Sequence, residues 1–305
     1  MSPRHPVIAI TGSSGAGTTT VTTTFQQIFR REGVRAVIVD GDAFHRFDRN
    51  DMRAKMAEVQ TKGRMHFSHF GPEANLFEEL ETLFRVYGES GIGKVRKYLH
   101  DEEEAAPYKQ EAGTFTPWGD IPPDTDMLFY EGLHGAIVTE TVNVAQHADL
   151  LIGVVPVINL EWIQKLHRDK MARGYTQEAI VDTILRRMPD YVNYICSQFS
   201  QTHVNFQRVP TVDTSNPFIA RDVPSPDESM LIIRFKNPRG IDFQYLLSML
   251  PDSLMSRPNT IVCPGSKMPL AMQLIFTPMI WQLMDQKKRC ALRIPNRKSG
   301  KHKHR

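Results

Sequence analysis

The chain predicts an α/β fold, with one mixed, mostly parallel sheet flanked by helices on both faces. Three observations carry this expectation. Residues 6–19, PVIAITGSSGAGTT, run from a short apolar strand at Val7–Ile10, through a glycine loop, into a segment that can start a helix. Residues 150–157 are almost continuously apolar, as a parallel strand covered on both faces must be. Between and beyond them, short apolar runs alternate with segments of helical period, the pattern of strands joined by packed helices.

A chain of 305 residues with 41% hydrophobic and 23% charged side chains can bury a sizeable core. No apolar run reaches the roughly 18 residues of a membrane span. The first strand starts near residue 6, leaving no room for a leader peptide. Cys196, Cys263 and Cys290 are odd in number and far apart, which argues against a disulfide framework or zinc site and fits a reducing cytoplasm. Nine of the 37 basic residues lie in 287–305, which has no acid. The other 28 face 34 acids, a net of −6. We therefore expect one domain over 1–286 and a disordered basic tail over 287–305. The tail reads as a solvated end, so no nucleic-acid or membrane partner is expected.

Taking the elements in order, Val21, Phe25, Ile28 and Phe29 mark one face of the first helix, stopped at Gly33. Residues 35–39 form the second strand, followed at once by Asp40, Asp42 and His45. Residues 46–70 read as helix and loop, and 73–87 as an amphipathic helix closed by Gly88. Residues 89–125 are loop-rich, with a short strand near 95–99. Such a long insertion usually carries function. Met127–Tyr130 is a third strand, leading into Glu131. After the fourth strand, helices are expected over 159–173 and 176–187, with a break near Pro189. Strands 209–212 and 230–235, helix 241–250, strand 260–263 and a helix over 268–285, interrupted by Pro278, complete the chain.

The chemistry begins at the glycine loop. Gly12, Ser13, Ser14, Gly15, Ala16 and Gly17 can turn backbone N–H groups inward onto phosphate, and the helix start at Thr18, Thr19 and Thr20 adds partial positive charge. The spacing is G-x-x-x-x-G-K-[ST] except that Thr18 replaces the lysine. Thr19 stands where a hydroxyl reaches Mg²⁺. A dinucleotide loop is the rival, with Asp40 ending the second strand, but the glycines at 12, 15 and 17 are not in G-x-G-x-x-G. Glu131, at a strand's carboxyl end, can serve a metal directly or through water. Asp42, with Asp40 as competitor, can accept a proton from an acceptor hydroxyl. Lys165, Arg168, Asp169 and Arg173 follow on a helix, then Arg186 and Arg187. A loop without its lysine needs cations, and a closing lid can bring them.

At this point the residues reach a family. TGSSGAGTTT, EGLHGA (131–136), VPVINLEWIQKLHRD (155–169), RGYT (173–176), ILRRM (184–188), NFQRVPTVDTSNPFIARDVP (205–224) and FKNPRGIDF (235–243) resemble the phosphoribulokinases of bacterial type, over roughly residues 5–285. The resemblance implies a P-loop NTP hydrolase fold similar to nucleoside monophosphate kinases. It implies transfer of the γ-phosphoryl of ATP, with Mg²⁺, to the C1 hydroxyl of D-ribulose 5-phosphate. By motif position, Asp42 resembles the catalytic base, and Glu131 and Asp169 the acids serving metal and transition state. Lys165, Arg168 and Arg173 resemble the cationic group of a lid around 165–187. His45, Arg49, Tyr98 and His100 match positions that handle the sugar phosphate, and His134, Arg186 and Arg187 lie in site motifs. The family further implies a homo-oligomer, an octamer in its bacterial branch, activated by NADH and inhibited by AMP. Arg31, Arg234 and Arg257 resemble positions linked to that control. Bacterial members also lack the loop lysine, and with no cysteine before 196 a thiol switch in the loop is not expected. A uridine kinase-like enzyme and a non-catalytic nucleotide sensor are the rival readings.

Overall fold

The computed structural model describes residues 4–13, 18–62, 67–155, 157–173 and 176–292. Its centre is β1, Val7–Gly12, whose side chains are buried on both faces. Ile8 and Ile10 join one apolar cluster and Val7 and Ala9 the other, so the two-residue period of the strand divides the core in two. Around β1 the chain lays down α1 (Thr18–Glu32), β2 (Ala36–Asp40), α2 (Arg49–Thr61) and α3 (Phe77–Ser90). The insertion follows, with β3 (Lys94–Val95), α4 (Glu102–Ala105) and β4 (Gly119–Asp120). Then come β5 (Met127–Gly132), β6 (Leu150–Val155), α5 (Ile158–Arg173), α6 (Gln177–Asp190), β7 (Val204–Pro210), β8 (Ser229–Phe235), α7 (Phe243–Met249), β9 (Leu254–Arg257), β10 (Thr260–Pro264) and α8 (Met268–Leu292).

The main sheet has the order β2-β5-β1-β6-β7-β8-β10-β9. The pairs from β2 to β7 are parallel, and those from β7 to β9 antiparallel. A mixed, mostly parallel sheet flanked by helices is therefore present, and β3 and β4 form a separate hairpin. On one face α1 packs Val21, Phe25 and Ile28 beside Met272, Ile275, Phe276 and Ile280 of α8. The Phe25 and Phe276 rings lie 5.0 Å apart. On the other face α3 buries Phe77, Leu80, Leu83, Phe84 and Tyr87, the helical stripe read from sequence.

Four expectations need correction. The strand placed at 209–212 begins at Val204. Its buried Val204 and Phe206 alternate with more polar residues, so it lacks the apolar run of the other strands. The edge strand β9 was not expected, because its LMSR sequence is largely exposed and has no apolar face. Pro278 does not interrupt α8, which runs through it as one helix with buried residues on both sides. Pro189 lies inside α6, and the expected break is instead a change to a π-helical turn at Tyr191–Ile195. In addition α8 continues to Leu292, six residues into the segment expected to be tail. Residues 293–305 lie outside the described residues.

Candidate active site

The carboxyl ends of β1, β2 and β5 meet at one edge of the sheet, and the acids read from sequence gather there. Asp40 and Glu131 are register partners on β2 and β5. Two glycines allow this approach: a Cβ on Gly132 would stand 2.6 Å from the Gly41 Cα, and one on Gly41 2.5 Å from the Tyr130 hydroxyl. Immediately after β2 the chain forms a 3₁₀ turn, Gly41–Phe44, capped by Asp40, whose Oδ1 accepts from the Asp42 N–H at 2.9 Å. That cap aims the Asp42 carboxylate at His45, with 3.1 Å between Oδ1 and Nε2.

A second wall comes from the insertion. His100 Nε2 lies 3.3 Å from Asp40 Oδ2 and 3.9 Å from Asp42 Oδ2. The Tyr98 ring meets the His100 ring edge-on at 4.9 Å, and Arg49, on the first turn of α2, donates to the His100 carbonyl at 2.7 Å. Thus Asp42, His45, Arg49, Tyr98 and His100 come together, although 58 positions separate the first from the last. Arg96 holds this wall to the Asp42 turn. Its guanidinium donates to the carbonyls of Ala43 at 2.8 Å and His45 at 2.6 Å, and stacks 3.7 Å from the centre of the Phe115 ring.

The charges follow from this packing. The crowded cleft disfavours a charged Asp42, but the bond to His45 and the charges of His45 and His100 hold its carboxyl well below the usual carboxylate range. His45 is buried, which disfavours its cation, yet the Asp42 bond and charge raise its pKa above the ordinary imidazole value. His69, stacked 4.4 Å from His45, is pushed well below that value by burial and by the charges of His45 and Arg187.

His134 stands apart from the group placed with it by sequence. It is 3% exposed, its Nε2 donates to the Phe70 carbonyl at 3.0 Å, and its ring packs on Phe77. Burial pushes its pKa down to about 3. It supports the floor behind Phe70 and His69 rather than lining the cleft.

On α5, Lys165 and Arg168 both pair with Asp169, Arg168 Nε at 3.2 Å from Oδ1. Asp169 is 3% exposed, and burial draws the Lys165 pKa below its ordinary value against the pull of Asp169. Arg187 lies 5.9 Å over the Phe70 ring, and Arg186 pairs with Asp182 at 3.4 Å within α6. Ser13 ends the described part of the glycine loop, buried like Gly12. Thr20 is on the first turn of α1. Ser14, Gly15, Ala16 and Gly17, and the side chains of Thr18, Thr19 and Arg173, lie outside the described residues.

Sequence reading missed the residues that pin these parts together. Gln198 is 1% exposed; its amide donates to the Leu133 and Tyr194 carbonyls at 2.7 and 2.6 Å, and its Oε1 takes the Ala136 N–H at 3.0 Å. The Thr11 hydroxyl lies 2.9 Å from the same oxygen. One amide therefore joins the end of β1, the loop after Glu131 and the root of the helices bearing the cations. Glu161, with Tyr191 donating to it at 2.8 Å, is a second such tie. Asn75 is a third, accepting near His45. Asn75 and Gln198 lie outside every quoted motif, and nothing in 155–169 marks Glu161 as a tie, so only the fold reveals them.

The three arginines grouped for control divide. Arg234 on β8 and Arg257 on β9 line one cavity of about 780 Å³, with Asn205, Gln207 and Asn259. Arg31 does not line it; its guanidinium bonds Thr277 on α8 at 2.8 Å.

Residues 7–215 match the model of the Phosphoribulokinase / Uridine kinase family. The chain is 70% identical over 291 residues to the chromosomal phosphoribulokinase of Cupriavidus necator, covering 95% of this chain and all of that one. It is 68% identical over 286 residues to the phosphoribulokinase of Nitrobacter vulgaris, covering 94% and 99%. The solved phosphoribulokinase from Rhodobacter spheroides superposes with a TM-score of 0.88 at 58% identity, over 94% of this chain and all of that one.

Proposed function

The chain belongs to the phosphoribulokinase/uridine kinase family, and we propose that within it this protein transfers the γ-phosphoryl of ATP to the C1 hydroxyl of D-ribulose 5-phosphate. The products are ribulose 1,5-bisphosphate and ADP, and the setting is the carbon dioxide fixation of the Calvin cycle. The observation that carries the proposal is the setting of Asp42: a carboxylate just past β2, on the sheet edge where β1 also ends, faced by His45 and His100 and walled by Arg49 and Tyr98. Such a cluster suits an acceptor that already carries a phosphate better than a neutral nucleoside.

In the proposed reaction the acceptor hydroxyl oxygen attacks the γ-phosphorus in line. Its O–H proton passes to Asp42, the new O–P bond forms, and the bond to ADP breaks. Asp42 is a weak base in its paired state, so it accepts the proton late. Lys165, Arg168 and Arg173, with Arg186 and Arg187, neutralise charge developing on the transferred group, replacing the absent loop lysine. They lie on the α5–α6 segment, which acts as a lid over 165–187 and moves as a unit above the single kinase domain. His45, Arg49, Tyr98 and His100 hold the sugar phosphate.

Among the described residues no three His, Cys, Asp or Glu are close enough to hold a metal by themselves. Mg²⁺ brought with ATP needs no such cluster, because it keeps waters and takes one or two carboxylates beside phosphate oxygens. Glu131 and Asp169, with Thr19, would hold it. Its chemistry there would be to neutralise the phosphate oxygens.

We further propose a cytoplasmic homo-octamer, with NADH as activator and AMP as inhibitor. The cavity shared by Arg234 and Arg257 supports an anionic effector at that place, with Arg31 acting from elsewhere. No helix among the described residues is long and apolar enough to cross a membrane. The deciding assay is ADP release from Mg·ATP with ribulose 5-phosphate, with a nucleoside, and with neither. Strict dependence on the sugar phosphate is expected. Dependence on the nucleoside instead would replace the proposal with a uridine kinase-like activity.

A further inference from the structure

Asn75 is 2% exposed, carries no charge and belongs to no motif, yet it touches the site at its most constrained point. Its side-chain nitrogen makes two contacts, to the carbonyl of His69 at 2.9 Å and to that of Gly71 at 2.6 Å. Carbonyl oxygens only accept, so both contacts require the NH₂ group, and the orientation of the amide is settled. Its Oδ1 then faces His45 Nδ1 at 2.8 Å. An amide oxygen only accepts as well, so the hydrogen of this bond belongs to Nδ1 of His45.

The other nitrogen of the ring, Nε2, lies 3.1 Å from Asp42 Oδ1. A neutral imidazole carries one N–H. With Nδ1–H held by Asn75, a neutral ring would present its lone pair to an ionised carboxylate. That contact is repulsive, and the ring avoids it by keeping a second proton on Nε2. Without Asn75, the neutral Nε2–H tautomer would serve Asp42 equally well and the cation would not be needed.

We propose that Asn75 is a positioning residue for the transfer: it locks the His45 proton on Nδ1 and so obliges the ring to meet Asp42 as a cationic donor from Nε2. The proposal rests on Asp42 being the base of the kinase reaction. It adds that the charge of His45, and with it a cation at the sugar-phosphate wall, is set by a neutral amide. While the ring is a cation, Asp42 Oδ1 is occupied by the Nε2–H donor, which leaves Oδ2 to take the substrate proton.

The groups that face His45 from each packed element are consistent with this. Asp40 and Asp42 come from its own turn. His69 stacks on the ring and is itself held neutral, with Arg187 behind it. Arg96 donates to the His45 carbonyl and Arg46 to that of Asn75 at 2.9 Å, so both cations are spent on the backbone. His100 lies across Asp42.

The test begins with the unaltered protein. Long-range ¹H–¹⁵N correlation of the imidazoles is followed against pH, with His45 assigned from the spectrum of His45→Gln. Protonation of both nitrogens is expected at neutral pH, and on raising the pH only Nε2 should lose its proton. A neutral His45 carrying its proton on Nε2 overturns the proposal, whatever the enzyme turns over. Variants then separate positioning from mere support, since Asn75→Leu and Asn75→Asp both lose the two donated bonds. Asp retains an acceptor for Nδ1 and Leu does not. The alkaline midpoint of kcat/KM for the sugar phosphate should fall in Asn75→Leu, with KM raised roughly 10-fold for the loss of a charge-assisted contact, and should rise in Asn75→Asp. Midpoints that move together, or not at all, overturn the proposal. If neither variant folds, the spectrum of the unaltered protein still decides.

Discussion

The carboxylate of Asp42 sits among His45, His69 and His100, and under the proposed mechanism it stays ionised until the acceptor oxygen is already bonding to phosphorus. Asp42→Asn keeps the shape and the 3₁₀ turn but cannot take a proton. Turnover should fall at least ~10³-fold, near the range typical of general bases, with ATP affinity unchanged in a direct binding measurement. A variant retaining most of its turnover would remove Asp42 from the base role. His134 makes a prediction about stability. It is neutral in the fold down to about pH 3, whereas in the unfolded chain it gains a proton below about 6.5. Its contribution to stability is therefore full above about pH 6.5 and declines as pH falls toward about 3, by roughly 1.4 kcal/mol per pH unit. Urea midpoints measured across that window should fall less steeply for His134→Gln than for the parent. At this scale the sequence was most informative where a side chain follows a strand end, as Asp42 and Glu131 do. It was silent about Asn75, Gln198 and Glu161, whose importance comes from being buried next to groups far away in the chain.

Whole elements depend on single residues that hold their ends. Helix α2 starts at Asp48, whose Oδ1 accepts from the N–H groups of Asn50 and Asp51, both at 2.8 Å. Asp48→Ala should cost about 1 kcal/mol of unfolding free energy and, because Arg49 follows at once, should raise the sugar-phosphate KM more than that for ATP. Equal changes in both would separate α2 from the acceptor side. The ends of β2 and β5 meet across Gly41 and Gly132, where there is no space for a methyl group. Gly132→Ala would part the strands carrying Asp40 and Glu131. A displacement near 1 Å at reacting groups costs on the order of 10²-fold in rate, so kcat should fall by about that much while far-ultraviolet circular dichroism stays native. The strands read correctly from sequence, β1, β2, β5, β6, β8 and β10, are those that carry a run of apolar residues. The misplaced β7 and the missed β9 carry polar residues in the second half of the sheet, where strands lie antiparallel and are covered less completely.

At the scale of the molecule, the C-terminal helix is tied back to the start of the sheet. Lys287 Nζ donates to the carbonyls of Thr125 and Asp126 at 3.2 and 3.0 Å and pairs with Asp126 Oδ1 at 3.1 Å. The Asp126 carboxylate also accepts from the Arg35 N–H at 2.9 Å. One lysine of the basic segment thus clasps the approaches to β2 and β5. Chains ending after residue 292 should match the full protein in turnover and melting temperature. Chains ending after residue 286 should be less stable by about 1–3 kcal/mol, the loss of a charge-assisted clasp. Composition revealed the basic segment, but not this contact between residues 161 positions apart. The same limit hid the pairing of Arg234 and Arg257, which spacing alone does not distinguish from Arg31.

The place of β1 in the sheet also sets a timetable. It is the first strand to be synthesised, yet the strands on its two sides, β5 and β6, begin at Met127 and Leu150. At ~5–20 residues per second the nascent chain carries this apolar segment unpaired for ~6–25 s before either neighbour exists. During that interval VIAITG has two open edges, although α1 and α3, which cover its two faces in the fold, are already made. The same strand that later leads into the glycine loop is, at birth, an apolar ribbon with both edges open to mispairing.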